Sequence, residues 1–223
     1  MEFRHEWKHE ISFSDLLIIR QRLSAIAGTD PHSINGKYEI SSLYFDNWQD
    51  KALREKIDGV NKREKFRIRY YNGDLSFIRL EKKTKINGLG SKQSAAMTIN
   101  EVQAIIDGDY QWMGGNQDEL ITELYSKMKS QCLRPKTIVN YTREAFVYAP
   151  GNVRITLDYN IRTGPCYKDF LKPDCVTVPA GAPIIILEVK WDSFLPDIIR
   201  DAVQLESRRA NAFSKYAACR IYG

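Results

Sequence analysis

Charged residues stand at every second position in several separate segments of this chain. Glu6 and Lys8 form one such pair, and Glu188 and Lys190 another. Lys65, Arg67 and Arg69 form a triplet, and so do Arg79, Glu81 and Lys83. Arg143 follows Tyr141 by two, and Arg154 precedes Thr156 and Asp158. Residues two apart share a face of a pleated strand, so each segment devotes one face to charge. The alternate positions are apolar: Phe66, Ile68 and Tyr70 beside the Arg triplet, Ile78 and Leu80 beside Arg79 and Glu81, Leu187 and Val189 beside Glu188.

The same reading extends along the chain. Phe3 to Ser12 predicts a strand, and Ser12 or Ser14 caps a helix that runs through Ala27 and stops at Gly28. Tyr38 to Phe45 predicts a strand and Asn47 to Ile57 a short helix. Arg63 to Tyr71 and Leu75 to Lys85 form a hairpin about Asn72-Gly73, a strong turn signal. Asn87 to Gly90 reads as a loop. Helices are expected from Thr98 to Asp107, opened by a Thr-x-x-Glu cap, and from Asp118 to Ser130. Thr137 to Tyr148 and Val153 to Tyr159 flank Pro150-Gly151 as a second hairpin. Ala182 to Trp191 predicts a strand, and Pro196 opens a helical tail, broken or continuous, to Ala218. Hairpin-rich strands with helices between them predict an α+β fold on an antiparallel sheet, and this many such strands tend to close into a barrel. With no repeat or linker to divide it, residues 1–223 are expected to form a single domain.

Two architectures fit. Either the apolar strand faces are the core and the charges meet bulk water, or apolar faces point outward under helices and charges line a lumen. The second fits better. At least four amphipathic helices need an apolar surface to cover, and a solvated strand face would mix Ser, Thr and Gln among its charges.

Charge distribution narrows the partners. The formal net charge is only +5, yet Asn61 to Lys92 holds ten basic residues against Glu64, Asp74 and Glu81. A basic segment in an otherwise near-neutral chain implies an anionic partner. Like charges about 5 Å apart at an effective dielectric of 20 repel by roughly 3 kcal/mol per pair. A lumen crowded with Arg and Lys therefore calls for a polyanion, and the planar guanidinium fork suits phosphate. Glu6, Glu81 and Glu188 do not serve phosphate directly. They suit Mg²⁺ or Mn²⁺, which bridge carboxylate and phosphate oxygens.

These segments resemble a known family. Arg4-His5-Glu6-Trp7-Lys8, Ser42-Leu43-Tyr44-Phe45-Asp46, Arg54-Glu55-Lys56-Ile57-Asp58-Gly59, Lys65-Phe66-Arg67-Ile68-Arg69-Tyr70, Leu80-Glu81-Lys82-Lys83-Thr84-Lys85, Leu187-Glu188-Val189-Lys190 and Phe213-Ser214-Lys215-Tyr216 follow one another in order. Together they resemble the polyphosphate polymerase domain of the vacuolar transporter chaperone (VTC) proteins in a stand-alone bacterial form. That domain is a triphosphate tunnel metalloenzyme related to the CYTH proteins. The resemblance implies an eight-stranded antiparallel tunnel and metal-dependent transfer of the ATP terminal phosphate onto polyphosphate. It implies phosphate-binding roles for Lys8, Arg67, Arg69, Lys83, Arg143 and Arg154, and substrate contacts from Ser214 and Lys215. Tyr141, Lys92 and Lys190 join them as substrate-binding candidates. Glu188 matches the metal-binding glutamate, with Glu6 and Glu81 as further metal candidates. The hydrolytic relatives carry E-x-E-x-K on the first strand, and Arg4 stands here in place of the first acid. That departure favours a polymerase, while a triphosphatase or a non-catalytic polyphosphate or inositol-phosphate binding module uses the same tunnel.

Rival motifs are weaker. His5-Glu6-Trp7-Lys8-His9 spells H-E-x-x-H, but zinc chemistry needs both histidines on one helix face, and alternation predicts a strand there, with the histidines packed under a helix. Gly88-Leu89-Gly90-Ser91-Lys92 lacks the spacing of a phosphate loop. Aromatics beside the basic segment suggest RNA, yet Phe66 and Tyr70 fall opposite Arg67 and Arg69, so no nucleic-acid partner is expected. Arg208-Arg209 beside Ser207 reads as a solvated helix face or a lid. The four cysteines lack C-x-x-C spacing and are expected to be reduced. The longest aliphatic stretch, Ile184 to Leu187, is far below the ~20 apolar residues of a membrane span. With no apolar signal at Met1 to Glu6, a cytoplasmic chain is expected, any membrane partner being unknown.

Overall fold

The computed structural model describes residues 4–205 and 213–222. In chain order its elements are β1 (His5–Ile11), α1 (Phe13–Ile26), β2 (Gly28–Thr29), β3 (Lys37–Asp46), α2 (Lys51–Ile57), β4 (Lys62–Tyr71), β5 (Asp74–Ile86), β6 (Leu89–Met97), α3 (Ile99–Asp107), α4 (Glu119–Ser130), β7 (Arg134–Tyr148), β8 (Val153–Gly164), β9 (Val178–Pro179), β10 (Ile185–Trp191), α5 (Asp197–Val203) and α6 (Lys215–Tyr222). The fold is α+β, and every strand pair is antiparallel. The long strands follow the order β1-β10-β8-β7-β3-β4-β5-β6, with β2 on β7 and β9 on β8. Arg4, just ahead of β1, bridges Gly90 of β6, and its N–H donates to the Gly90 carbonyl at 3.3 Å. The two edges of the sheet thus meet, and eight strands curl into a tunnel.

Helices coat the outside. α3 and α4 lay Val102, Ile105, Ile106, Leu120, Ile121, Leu124 and Met128 over the outward residues of β4, β5 and β6, among them Phe66, Ile68, Ile78 and Leu80. α1 and α5 lay Leu16, Ile19, Leu23, Ile199 and Val203 over Ile155, Leu157, Leu187 and Val189. Burying a side chain of this size contributes about 1.5–3 kcal/mol. Capping boxes start two of these helices, Ser12 with Asp15 and Thr98 with Glu101. A third cluster faces inward. Tyr216 and Cys219 of α6 pack against Ile40, Tyr44, Val139, Tyr141 and Ile186, so α6 fills part of the tunnel. Its place is fixed by Tyr216, whose hydroxyl donates to Asp46 at 2.6 Å and whose ring stacks on Tyr44 at 5.1 Å.

Several expectations need correction. Residues 89–97 form β6, not the tail of a loop; only Asn87-Gly88 turns, both with positive φ. The strand is hard to read because its outward residues are small: Ser91 and Ala95 beside Met97. The helix predicted from Asn47 begins at Lys51. Asp46 and Asn47 cap it instead, the Asp46 carboxylate accepting from the N–H groups of Ala52 and Leu53. The strand predicted from Ala182 begins at Ile185. Among the described residues the tail holds two helices, α5 and α6, as the broken form of that expectation allows, and Ser207, Arg208 and Arg209 lie outside the described residues. β1 is a strand, as its alternation predicts, but His5 is exposed and stacks on Trp191 at 5.5 Å rather than packing under a helix.

The Tyr216–Asp46 bond joins a buried hydroxyl to a carboxylate, a class worth about 1.5–3 kcal/mol. Tyr216→Phe is expected to lower Tm by several degrees, read by a thermal melt; an unchanged Tm would show that α6 is held by other contacts.

A basic tunnel as the candidate functional site

Register places the charged positions on the inner face. Across the β3–β4 pair Ser42 faces Arg69 and Tyr44 faces Arg67. On β5, Arg79 lies opposite Arg69, Glu81 opposite Arg67 and Lys83 opposite Lys65. Lys92 of β6 continues the Lys65–Lys83 row. On the other wall Lys8 faces Glu188, Glu6 faces Lys190, Lys190 faces Arg154, and Arg143 faces Asp158. Lys215 enters from α6, its ammonium 4.8 Å from the Tyr141 ring centre. Ser214 accepts the Ala217 N–H at 3.3 Å and so caps α6. The strand-borne site residues read from the sequence share the inner faces, Lys215 comes from α6 and Ser214 from its cap, while Arg154 lies apart from the other clusters.

Within the tunnel the charges sort into three groups. Arg67 donates twice to Glu81, at 2.7 and 2.5 Å, and once to the Tyr44 hydroxyl at 2.8 Å. Lys92 reaches the same carboxylate at 3.1 Å, and Arg69 bonds Ser42 and Tyr141. In the second group Lys8 contacts Glu6 at 2.5 Å and Glu188 at 3.6 Å, while Lys190 contacts Glu188 at 2.6 Å and Glu6 at 3.9 Å. In the third, Arg143 binds Asp158 through two bonds of 2.6 and 2.7 Å, and Lys215 adds a contact of 2.5 Å. Arg154 stands apart on Asp30 at 2.8 Å and on the Tyr38 hydroxyl.

Burial and crowding shift these groups. Burial opposes the charge of Asp158, but Arg143 and Lys215 outweigh it and hold the carboxyl at about 2. Glu188 is held well below the usual carboxylate range because Lys190 and Lys8 outweigh its burial. Lys83 is pushed well down by Lys190 first and then by burial. Lys65 is lowered to about 8 by burial, with Arg67 and Lys8 adding repulsion. Burial opposes ionisation of Tyr44, yet Arg67, Lys65 and Arg69 bring its phenol down to about 7. Lys65 and Lys83 have no carboxylate within 4.0 Å among the described residues. The arrangement is a cationic surface that a bound anion would complete.

Three residues missing from the sequence-derived site belong to it. Asp158 is fully buried and ties Arg143 to Lys215. Its signal was its phase with Arg154 and Thr156. Lys65 and Tyr44 were visible only within longer motifs, and nothing local marks a tyrosine as inward-facing.

The chain matches the VTC domain over residues 3–221. It belongs to that family. No curated protein matches the chain. Among solved structures, a Bacillus halodurans protein provisionally described as an adenylate cyclase is similar at TM-score 0.53 and 12% identity, over 86% of this chain and 82% of that one. The PH1012 protein of Pyrococcus horikoshii aligns at TM-score 0.45 and 13% identity over 92% of both chains. The Mimivirus capping enzyme triphosphatase aligns at TM-score 0.42 and 10% identity, over 90% of this chain and 86% of that one. At such identities the first of these speaks for the VTC chain's fold alone.

Two outcomes follow from the geometry. Asp158→Asn leaves Arg143 and Lys215 facing each other without their counter-charge, and the loss expected is roughly 3 kcal/mol or more, measured by urea unfolding; a loss below about 0.5 kcal/mol would mean the pair is solvated. Lys65 is charged below about pH 8 and neutral above it. Affinity for tripolyphosphate is therefore expected to fall as pH rises past about 8, with proton uptake on binding, and Lys65→Arg is expected to make that decline shallower. Calorimetry in buffers of different ionisation enthalpy reads both quantities.

Proposed function

We propose that this VTC domain is a metal-dependent polyphosphate polymerase, transferring the terminal phosphate of ATP to the end of a polyphosphate chain inside the tunnel. The observation that carries this reading is the row of inward cations on adjacent strands, of which Lys65 and Lys83 have no carboxylate partner among the described residues. Family membership supports it.

Phosphoryl transfer needs positioning and charge stabilisation more than a nucleophilic side chain. Lys8, Arg67, Arg69, Lys83, Arg143 and Arg154 hold the triphosphate and the chain end in line. Tyr141, Lys92, Lys190, Ser214 and Lys215 line the path. Tyr44, Glu81 and Asp158 hold the guanidinium groups in place, so Glu81 serves Arg67 as its counter-ion. Glu188 and Glu6 are hard oxygen donors sharing two ammonium groups, a donor set that fits Mg²⁺ or Mn²⁺. No group of three His, Cys, Asp or Glu placed to hold a metal is found among the described residues, so Glu188 and Glu6 would be the protein's donors to such an ion. Such an ion, when bound, neutralises oxygens of the transferred and leaving phosphates. An oxygen of the chain's terminal phosphate attacks the γ-phosphorus of ATP, the bond to the β–γ bridging oxygen breaks, and ADP leaves. Arg4, bound to Asp192 at 2.7 Å, supplies no acid to the metal side, which favours the polymerase over a hydrolase.

Incubation with ATP and Mn²⁺ followed by sizing of the products tests the reading. Polyphosphate longer than the ATP tail is expected from wild type and none from Glu188→Gln, with circular dichroism confirming that the variant is folded. Orthophosphate alone would make the tunnel a triphosphatase; binding without turnover would make it a phosphate-binding module.

A further inference from the structure

The basic wall continues past the residues given phosphate roles above. Along β4 the inward positions are Arg69, Arg67, Lys65 and Arg63, and the β5 residues opposite are Arg79, Glu81, Lys83 and Lys85. From Arg69 to Arg63 the strand spans about 20 Å, at roughly 3.3 Å per residue. A triphosphate reaches along less than half of that length. At the far end Lys56 of α2 joins Arg63 and Lys85. Burial lowers Lys56, and Arg63, Lys8 and Lys85 lower it further. Lys85 is lowered mainly by burial, and among its neighbours Lys8 and Arg63 repel it while Glu6 attracts it. Arg63 donates to the Val60 carbonyl at 2.5 Å. None of the three has a carboxylate within 4.0 Å among the described residues.

We infer that Lys56, Arg63 and Lys85 form an outer subsite for a linear polyanion longer than a triphosphate, and that this subsite sets a preference for long polyphosphate. The inference rests on the inner tunnel holding phosphate, as proposed above. Three half-buried cations drawn from three elements repel one another when the subsite is empty. An extended anion lying along β4 and β5 relieves that repulsion, and its negative charges recur along its whole length. The aromatics that alternate with the β4 cations give bases no stacking face. Phe66 and Tyr70, the aromatics of β4 that alternate with its cations, are buried under α3 and α4 and the segment around Phe170.

Titration calorimetry with tripolyphosphate and with a long polyphosphate of defined length tests it, on wild type and on the triple variant Lys56→Ala, Arg63→Ala, Lys85→Ala. The expected result is at least about tenfold weaker binding of the long chain, the effect of losing charge-assisted contacts, with tripolyphosphate within about twofold of wild type. Equal losses for both anions, or an unchanged affinity for the long chain, would overturn the subsite. The single variant Lys85→Gln, checked for folding by circular dichroism, is expected to show the same selective loss at smaller size and decides the matter if the triple variant does not fold. A single-stranded oligonucleotide bound as tightly as polyphosphate of equal charge would also overturn it. Wild type that binds both anions but makes no polymer from ATP would sink the polymerase reading and leave the subsite standing; wild type that binds neither would sink both.

Discussion

Everything in this fold turns on cations held inside a barrel with too few acids to match them. Arg67, Arg69, Glu81, Asp158 and Glu188 are almost wholly withdrawn from water. Charges in that position are costly unless paired. The chain meets the cost in two ways. Some guanidinium groups are locked by carboxylates and hydroxyls: Arg67 by Glu81 and Tyr44, Arg143 by Asp158. Others, notably Lys65 and Lys83, are left without such a partner, and their lowered proton affinity records it. A site built this way holds its donors in place before any ligand arrives. Its ligand gains from every charge that the protein alone leaves uncompensated.

The helical coat makes the inversion possible. A barrel whose interior is polar must draw its hydrophobic stabilisation from the outer surface. Here two separate clusters, under α3 with α4 and under α1 with α5, supply it. The third, around α6, is on the inside. α6 is thus both a structural plug and a part of the site, because Tyr216 anchors it to Asp46 while the adjacent Lys215 reaches Asp158.

The walls differ in chemistry. β4 and β5 carry most of the inward cations, continued by Lys92 of β6, with Glu81 as the inward acid among them. β1, β7, β8 and β10 mix Lys8, Lys190, Arg143 and Arg154 with Glu6, Glu188 and Asp158. A polyanion has its long contact on the first wall, and the groups able to hold a metal sit on the second. This division of labour was partly legible in the sequence. The period of two in Lys65-Arg67-Arg69 and Glu188-Lys190 gave the phase of each strand, and helix-forming segments between the strands pointed to the outer coat. Pairing was not legible. Which carboxylate meets which cation depends on register and barrel curvature, so Glu81 reads like Glu188 in the sequence although one faces Arg67 and the other Lys190 and Lys8. β6 escaped notice because small residues suffice where its outer face is tightly covered. The fully buried Asp158 escaped because its importance comes from α6, far away in the chain.

The central claim is that some inward cations, Lys65 and Lys83 above all, are uncompensated until an anion binds. Lys83 tests it most directly, since no carboxylate lies within 4.0 Å of its ammonium among the described residues and Lys190 is its strongest repulsive neighbour. Thermal melts of wild type and Lys83→Met, with and without tripolyphosphate, compare the two states. The account predicts that the empty variant melts at or above wild type and gains less from tripolyphosphate than wild type does. A variant that melts lower when empty and gains as much from the anion would contradict it.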